Sequence, residues 1–239
     1  MHKTIAEARA LVRSLREATL PEGVDVVVAP PFTALQAVEH ELRGSTIGLG
    51  AQTMHYLDQG PCTGEISPPM LVELGVRWVI LGHSERRASF GETDDNVNLK
   101  VHAALKHGLT PIVAVGETAT EHAEEQTLEK VTFQTRAAFA GLAAADVARC
   151  VVAYEPIWAI GTGLVDEPES ANAVIGEIRR AVDGLQNARV LYGGSMKGEN
   201  CSDLLAQPHI DGGLVGGASL NAPGFLLIVE SARQRTTAA

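Results

Sequence analysis

The strongest constraint on the fold is a repeat in which short β-prone runs alternate with stretches whose apolar residues recur every three to four positions. Seven runs read as strands, over 24–30, 47–52, 78–82, 110–115, 151–154, 190–192 and 213–215. Eight stretches read as helices, over 3–18, 34–42, 69–74, 94–107, 123–139, 169–182, 200–206 and 223–233. The first of them carries Ile5, Ala8, Val12 and Leu15 on one face. The strands lack strict polar–apolar alternation, as strands buried on both faces of a parallel sheet do. This α/β repeat builds either a (β/α)8 barrel or a doubly wound sheet. No G-x-G-x-x-G follows a strand, which weakens the dinucleotide-binding form of the second. In a barrel each helix follows a strand, yet the chain begins directly in helical sequence, so the first β-strand is expected to be missing. No linker divides the 239 residues, and a single domain over 1–239 is expected.

Composition narrows the classes of function. A hydrophobic content of 45% supports a packed core. The apolar runs, such as 26–29 and 78–81, fall far short of the ~20 residues of a membrane span. The segment after Met1 is charged and amphipathic, unlike a signal peptide, so a cytoplasmic protein without a membrane partner is expected. A net charge of −10 argues against nucleic acid as a partner. Cys62, Cys150 and Cys201 lie far apart, and the histidines show no metal-binding spacing. Free thiols and no metal site are expected.

In a parallel barrel the working residues sit where strands end. His83 is there, in Leu81-Gly82-His83-Ser84-Glu85-Arg86-Arg87. Taken alone, such a histidine is more often a packed or capping residue than a catalytic one. At a helix N-terminus, however, a neutral imidazole can donate to a carbonyl oxygen, because the helix dipole disfavours the cation. Glu155 follows Val151-Val152-Ala153-Tyr154, and partial desolvation there suits a general base; a salt bridge at the barrel rim is the competing reading. Beyond it, Ile157-Trp158-Ala159-Ile160-Gly161-Thr162-Gly163 runs on to Pro168, a loop of lid length with glycine and proline at its ends. A plain connection is the alternative, although Trp158 is unusual in one. The last two strands end in Tyr192-Gly193-Gly194-Ser195 and Val215-Gly216-Gly217-Ala218-Ser219. Glycines there let backbone N–H groups approach a phosphate.

These segments, with Phe90-Gly91-Glu92-Thr93, together resemble the triosephosphate isomerase family, and the similarity runs in one order over essentially the whole chain. The resemblance implies a TIM barrel that interconverts dihydroxyacetone phosphate and D-glyceraldehyde 3-phosphate through an enediolate, in glycolysis and gluconeogenesis, with no metal or organic cofactor. It implies that Glu155 takes the carbon-bound proton while neutral His83 polarises the carbonyl and shuttles oxygen-bound protons. This family is itself the standard case of that pairing and of a closing lid. Glu85 then matches a supporting carboxylate, and Gly161, Ser195, Gly216 and Gly217 match the residues that hold the phosphate. The segment 52–65 resembles a loop whose tip enters a partner subunit, so that Thr63 braces the neighbour's site in a homodimer.

The sequence departs from the family at its start. Family members open with a strand ending Asn-x-Lys-Met, and Met1 aligns with that methionine, so the asparagine and the catalytic lysine have no counterpart. Losing one preorganised group of this kind commonly costs about 3–4 kcal/mol of transition-state stabilisation. Two readings follow: an upstream start of a longer natural protein, which the intact Glu155, His83 and glycine motifs favour, or a truncated phosphate-binding barrel with weak or no turnover. A barrel enzyme acting on another phosphorylated substrate is opposed by the Glu155–lid motif. Asp166 and Glu167 stand in the second hinge of the loop, where small or hydroxyl residues are usual, and Ala114 replaces a usual cysteine.

Overall fold

The computed structural model describes residues 1–161 and 166–236, with the backbone alone for 234–236. It opens with helix α1 (Ile5–Arg16), where Glu7 reaches back to the backbone N–H of Thr4 at 2.7 Å and satisfies a donor that the helix leaves open. Ala8, Val12 and Leu15 are buried as their spacing predicts. Ile5 is 49% exposed, because it lies on the first turn, beyond the edge of the packed face. The polar side of α1 is tied to α2 (Leu35–Leu42). Glu41 accepts from Arg13 (2.7 and 2.9 Å) and from Arg9 (2.7 Å), and these two guanidinium groups pull its carboxyl down to about 2.

Among the described residues seven strands form one sheet: β1 (Val27–Val28), β2 (Gly48–Ala51), β3 (Trp78–Leu81), β4 (Thr110–Val115), β5 (Val151–Tyr154), β6 (Arg189–Tyr192) and β7 (Gly212–Gly213). Each pairs in parallel with the next in sequence, for example Val79 with Pro111 and Tyr154 with Tyr192. A doubly wound sheet reverses strand order at a switch point, and this order has none. Between the strands run α3 (Pro68–Glu73), α4 (Ser84–Phe90), α5 (Asp94–Lys106), α6 (Ala119–Ala123), α7 (Thr127–Ala138), α8 (Ala144–Val147), α9 (Pro168–Ala181) and α10 (Cys201–Leu205), and α11 (Ala222–Thr236) is the last described helix.

The helical ring closes, since α1 packs on both α2 and α11, and Arg189 of β6 reaches an ion pair with Asp25 just before β1. The strand ring does not close among the described residues: β1 and β7 have no neighbour on their outer sides. Both are two residues long against four to six in the others. A strand without a second neighbour lacks half its ladder, and so the runs read over 24–30 and 213–215 shrink. This is a (β/α) barrel with one strand absent from the inner ring.

Two further differences have local causes. Residues 84–90 form α4, which the apolar periodicity did not reveal because Ser84 is its one buried residue. The stretch 123–139 is broken: α6 starts on a Thr118–Glu121 capping box, and Glu125 at φ +58° interrupts it before α7. The core lies between sheet and helices, where Val79, Leu81, Val113, Val152 and Val190 meet Val101, Val131, Ile175 and Leu204. Among the described residues no helix is long and apolar enough to cross a membrane, and no group of His, Cys, Asp and Glu is placed to hold a metal ion.

Candidate active site

At the end of β3 the chain must turn sharply into α4, and Gly82 makes that turn at φ +73°. A Cβ there would also press on Val97 at 3.0 Å and on the Ala114 carbonyl at 3.1 Å. His83 then caps α4, its Nδ1 accepting from the backbone N–H of Glu85 at 3.2 Å. With Nδ1 an acceptor, the proton of the neutral ring belongs on Nε2. Nε2 donates to Glu155 Oε1 at 2.9 Å, while Glu155 Oε2 accepts from the Ser84 N–H at 2.9 Å. Glu155, 2% exposed, follows β5 directly and is held by its own N–H to the Val115 carbonyl at 2.8 Å.

The electrostatics of His83 refine the expectation of a neutral ring. Burial opposes the imidazolium, but the hydrogen bond and charge of Glu155, helped by Glu85 and Glu92, outweigh it and hold His83 above its ordinary pKa. That upward pull lasts as long as the carboxylate rests on Nε2. When Glu155 turns to another acidic proton, burial, the largest single effect, and the Glu85 N–H favour the neutral Nε2–H ring against the weaker charges of Glu85 and Glu92. Glu85 itself is exposed, and its hydrogen bond to His83 comes from the backbone.

A buried ion pair supports this turn. Glu92 Oε2 accepts the Gly82 N–H at 3.0 Å, and its Oε1 pairs with Lys100 Nζ, which also faces Thr53 Oγ1 at 3.4 Å. Breaking a buried pair strands the remaining charge, at about 3–5 kcal/mol. Glu92→Gln is therefore expected to lower the urea midpoint by a corresponding amount; a midpoint unchanged from the parent would contradict it.

Motif reading missed Glu117. It stands two residues past β4, and the strand-end rule that found His83 and Glu155 would have found it too. Its Oε1 accepts from Tyr154 Oη at 3.1 Å and Trp158 Nε1 at 2.7 Å, so it grips the chain immediately before and after Glu155. Trp158 also stacks on His122 at 4.3 Å, which explains a tryptophan in this connection. Burial pushes the Glu117 carboxyl above its usual range against these donors.

Of the residues read as phosphate ligands, Ser195 lies against the base's own segment, Oγ donating to the Ala159 carbonyl at 2.8 Å. Gly161 is exposed at φ +71°, whereas Gly163 lies outside the described residues. Gly216 and Gly217 start the 3-10 turn after β7, and a Cβ on either would meet no protein atom within 4 Å. Gly193 and Gly194 have a different reason to be glycine. A Cβ would lie 2.9 Å from Glu155 Cγ at the first and 2.2 Å from the Tyr192 hydroxyl at the second, so packing under the base excludes any side chain. Thr63 is exposed at the tip of the loop after β2, which is pinned by the His55 N–H to the Ile66 carbonyl at 2.8 Å. Thr63 takes no part in the Glu155–His83 hydrogen bonds.

Comparison with known proteins agrees with this geometry. A family model described as triosephosphate isomerase matches residues 1–232. Proteins named triosephosphate isomerase from Thermoanaerobacter pseudethanolicus and Chloroflexus aurantiacus are 48% and 50% identical over 235 and 237 residues. These alignments cover 96% of this chain in both cases, and 95% and 94% of the relatives. A Synechococcus relative of the same name is 50% identical over 96% of this chain and 92% of its own. The sequential parallel sheet, the histidine–glutamate contact at its strand ends and these relatives converge: the chain belongs to the triosephosphate isomerase family.

Proposed function

We propose that the chain interconverts dihydroxyacetone phosphate and D-glyceraldehyde 3-phosphate. The observation that carries this reading is the 2.9 Å contact of Glu155 Oε1 with His83 Nε2, a buried carboxylate beside a histidine whose proton sits on the nitrogen facing the site. Glu155 removes the proton on the carbon next to the carbonyl, and the electron pair moves to form the enediolate. His83 Nε2–H stabilises the oxygen that gains charge and transfers a proton between the two oxygens. The Glu155 carboxyl then returns its proton to the neighbouring carbon. Protons move and no net electrons are lost, so the chemistry itself requires no redox cofactor.

Gly161, Ser195, Gly216 and Gly217 hold the phosphate in this reading, and Glu85 adds negative potential near His83. The open space beside Gly216 and Gly217 and the Ser195–Ala159 hydrogen bond support that assignment. We also take the chain as one domain over 1–239, a cytoplasmic homodimer in which Thr63 meets the neighbour's site; the exposed, pinned loop around it is the support.

The unpaired edges of β1 and β7 favour a second reading, a barrel that binds triose phosphate but turns it over weakly. An assay coupled to a dehydrogenase specific for one triose phosphate separates the two. Saturable turnover that falls on His83→Gln supports the isomerase; binding of substrate without turnover supports the second reading.

A further inference from the structure

The approach to α9 buries a carboxyl group that the chemistry above does not use. Asp166 is 3% exposed and Glu117 is 0% exposed. Asp166 Oδ2, Glu117 Oε2 and the Tyr192 hydroxyl are all buried without a partner at hydrogen-bond geometry. The backbone N–H of Asp166 faces that hydroxyl. Glu117 from the loop after β4, His122 from α6, Tyr154 from β5 and Tyr192 from β6 lie within electrostatic reach of the Asp166 carboxyl, with Ser170 and the Glu167 N–H as its hydrogen-bond donors.

Among the described residues no Lys or Arg pairs with either carboxyl. Exposed His122 places Nδ1 3.6 Å from Glu117 Oε1. The charge of buried Glu117 opposes ionisation of the buried Asp166 carboxyl. A proton on one of the two carboxyls also supplies a donor to a site where two carboxylate oxygens have none.

We infer that Asp166 is a positioning residue: a proton carried by the Asp166–Glu117 pair fastens the approach to α9 onto the ends of β5 and β6, and its loss releases that fastening. The consequence reaches the base through contacts already described. Glu117 holds Tyr154 and Trp158 on either side of Glu155, and Gly193, next to Tyr192, packs on the Glu155 side chain.

Burial first, and then the charge of Glu117, raise Asp166 from 3.8 to about 6. A carboxyl raised in the folded state favours the fold in its neutral form. Its contribution is therefore complete below about pH 4 and is lost as pH rises through about 6.

The test is the melting temperature of the whole chain between pH 4 and 8, for the parent, Asp166→Asn and Glu117→Gln. The Asn variant stays uncharged, so it is expected to melt about 5 °C above the parent at pH 8, with the difference vanishing toward pH 4. Glu117→Gln removes a charge that helps raise Asp166, and is expected to make the parent's loss of stability smaller and complete at lower pH. A kinetic arm rests on the isomerase reading: relative to the Asn variant, the parent's KM for triose phosphate should rise about fivefold across the same window. A melting difference that is constant with pH, or a parent more stable than Asp166→Asn at pH 8, overturns the inference. The melting arm uses no substrate, so it decides the inference whatever the isomerase assay gives.

Discussion

Glu155→Gln is expected to lower kcat by about 10²–10⁴-fold, the range that a positioned general base contributes. The amide keeps the shape of the side chain but cannot take a proton from carbon. It also meets an awkward hydrogen-bond environment, because His83 Nε2 and the Ser84 N–H both donate toward this position. The amide offers one acceptor oxygen, so one of those donors faces an NH2 group instead. Hydrogen bonds to charged groups are worth about 1.5–3 kcal/mol, and stability should fall by no more than that. The coupled assay and a thermal melt, run on the same preparation, separate the two effects: a large loss of turnover in a protein that still melts cooperatively. A variant that retains kcat within about tenfold would remove Glu155 from the role of base.

The second large effect concerns the open side of the strand ring. Fusing before Met1 a short apolar strand ending Asn-x-Lys is expected to raise kcat/KM by about 10²–10³-fold, the usual worth of one preorganised group aimed at developing charge. The reason is electrostatic. The residues assigned to the phosphate are glycines and a serine, and the chain as a whole carries −10. The fused strand should also raise the melting temperature, since it offers ladder partners to both β1 and β7. The same fusion with Lys→Met separates the contributions, keeping the gain in stability while losing the gain in rate. Equal rates for the two fusions would assign the effect to barrel closure and not to the cation.

Legibility differed from one residue to another for physical reasons. The strand–helix period is a local property, and it carried the barrel and the placement of His83 and Glu155 at strand ends. Their mutual contact joins His83 of one strand end to Glu155 of another, far apart in sequence, and only the family resemblance anticipated it. Glu117 stands at a strand end like His83 and Glu155, but no motif or resemblance marked it in the sequence. What makes Glu117 functional is burial against Tyr154 and Trp158, which come from another strand and turn. Asp166 was visible as an unusual hinge residue, but its burial depends on three separate strand ends closing around it. Gly193 and Gly194 looked like Gly216 and Gly217 in sequence; the contacts beside each Cα tell packing glycines from open ones.

A base at Glu155 carries a proton between two carbons of a triose phosphate, and isomerisation in D2O followed by proton NMR shows that transfer. A carboxyl that takes up a proton and exchanges with solvent delivers deuterium, so the product should carry deuterium on the carbon that receives the transfer. Glu155→Gln should suppress product and label together. Rapid product formation with the carbon-bound hydrogen wholly retained would mean direct transfer from carbon to carbon, with no part for Glu155 as the base.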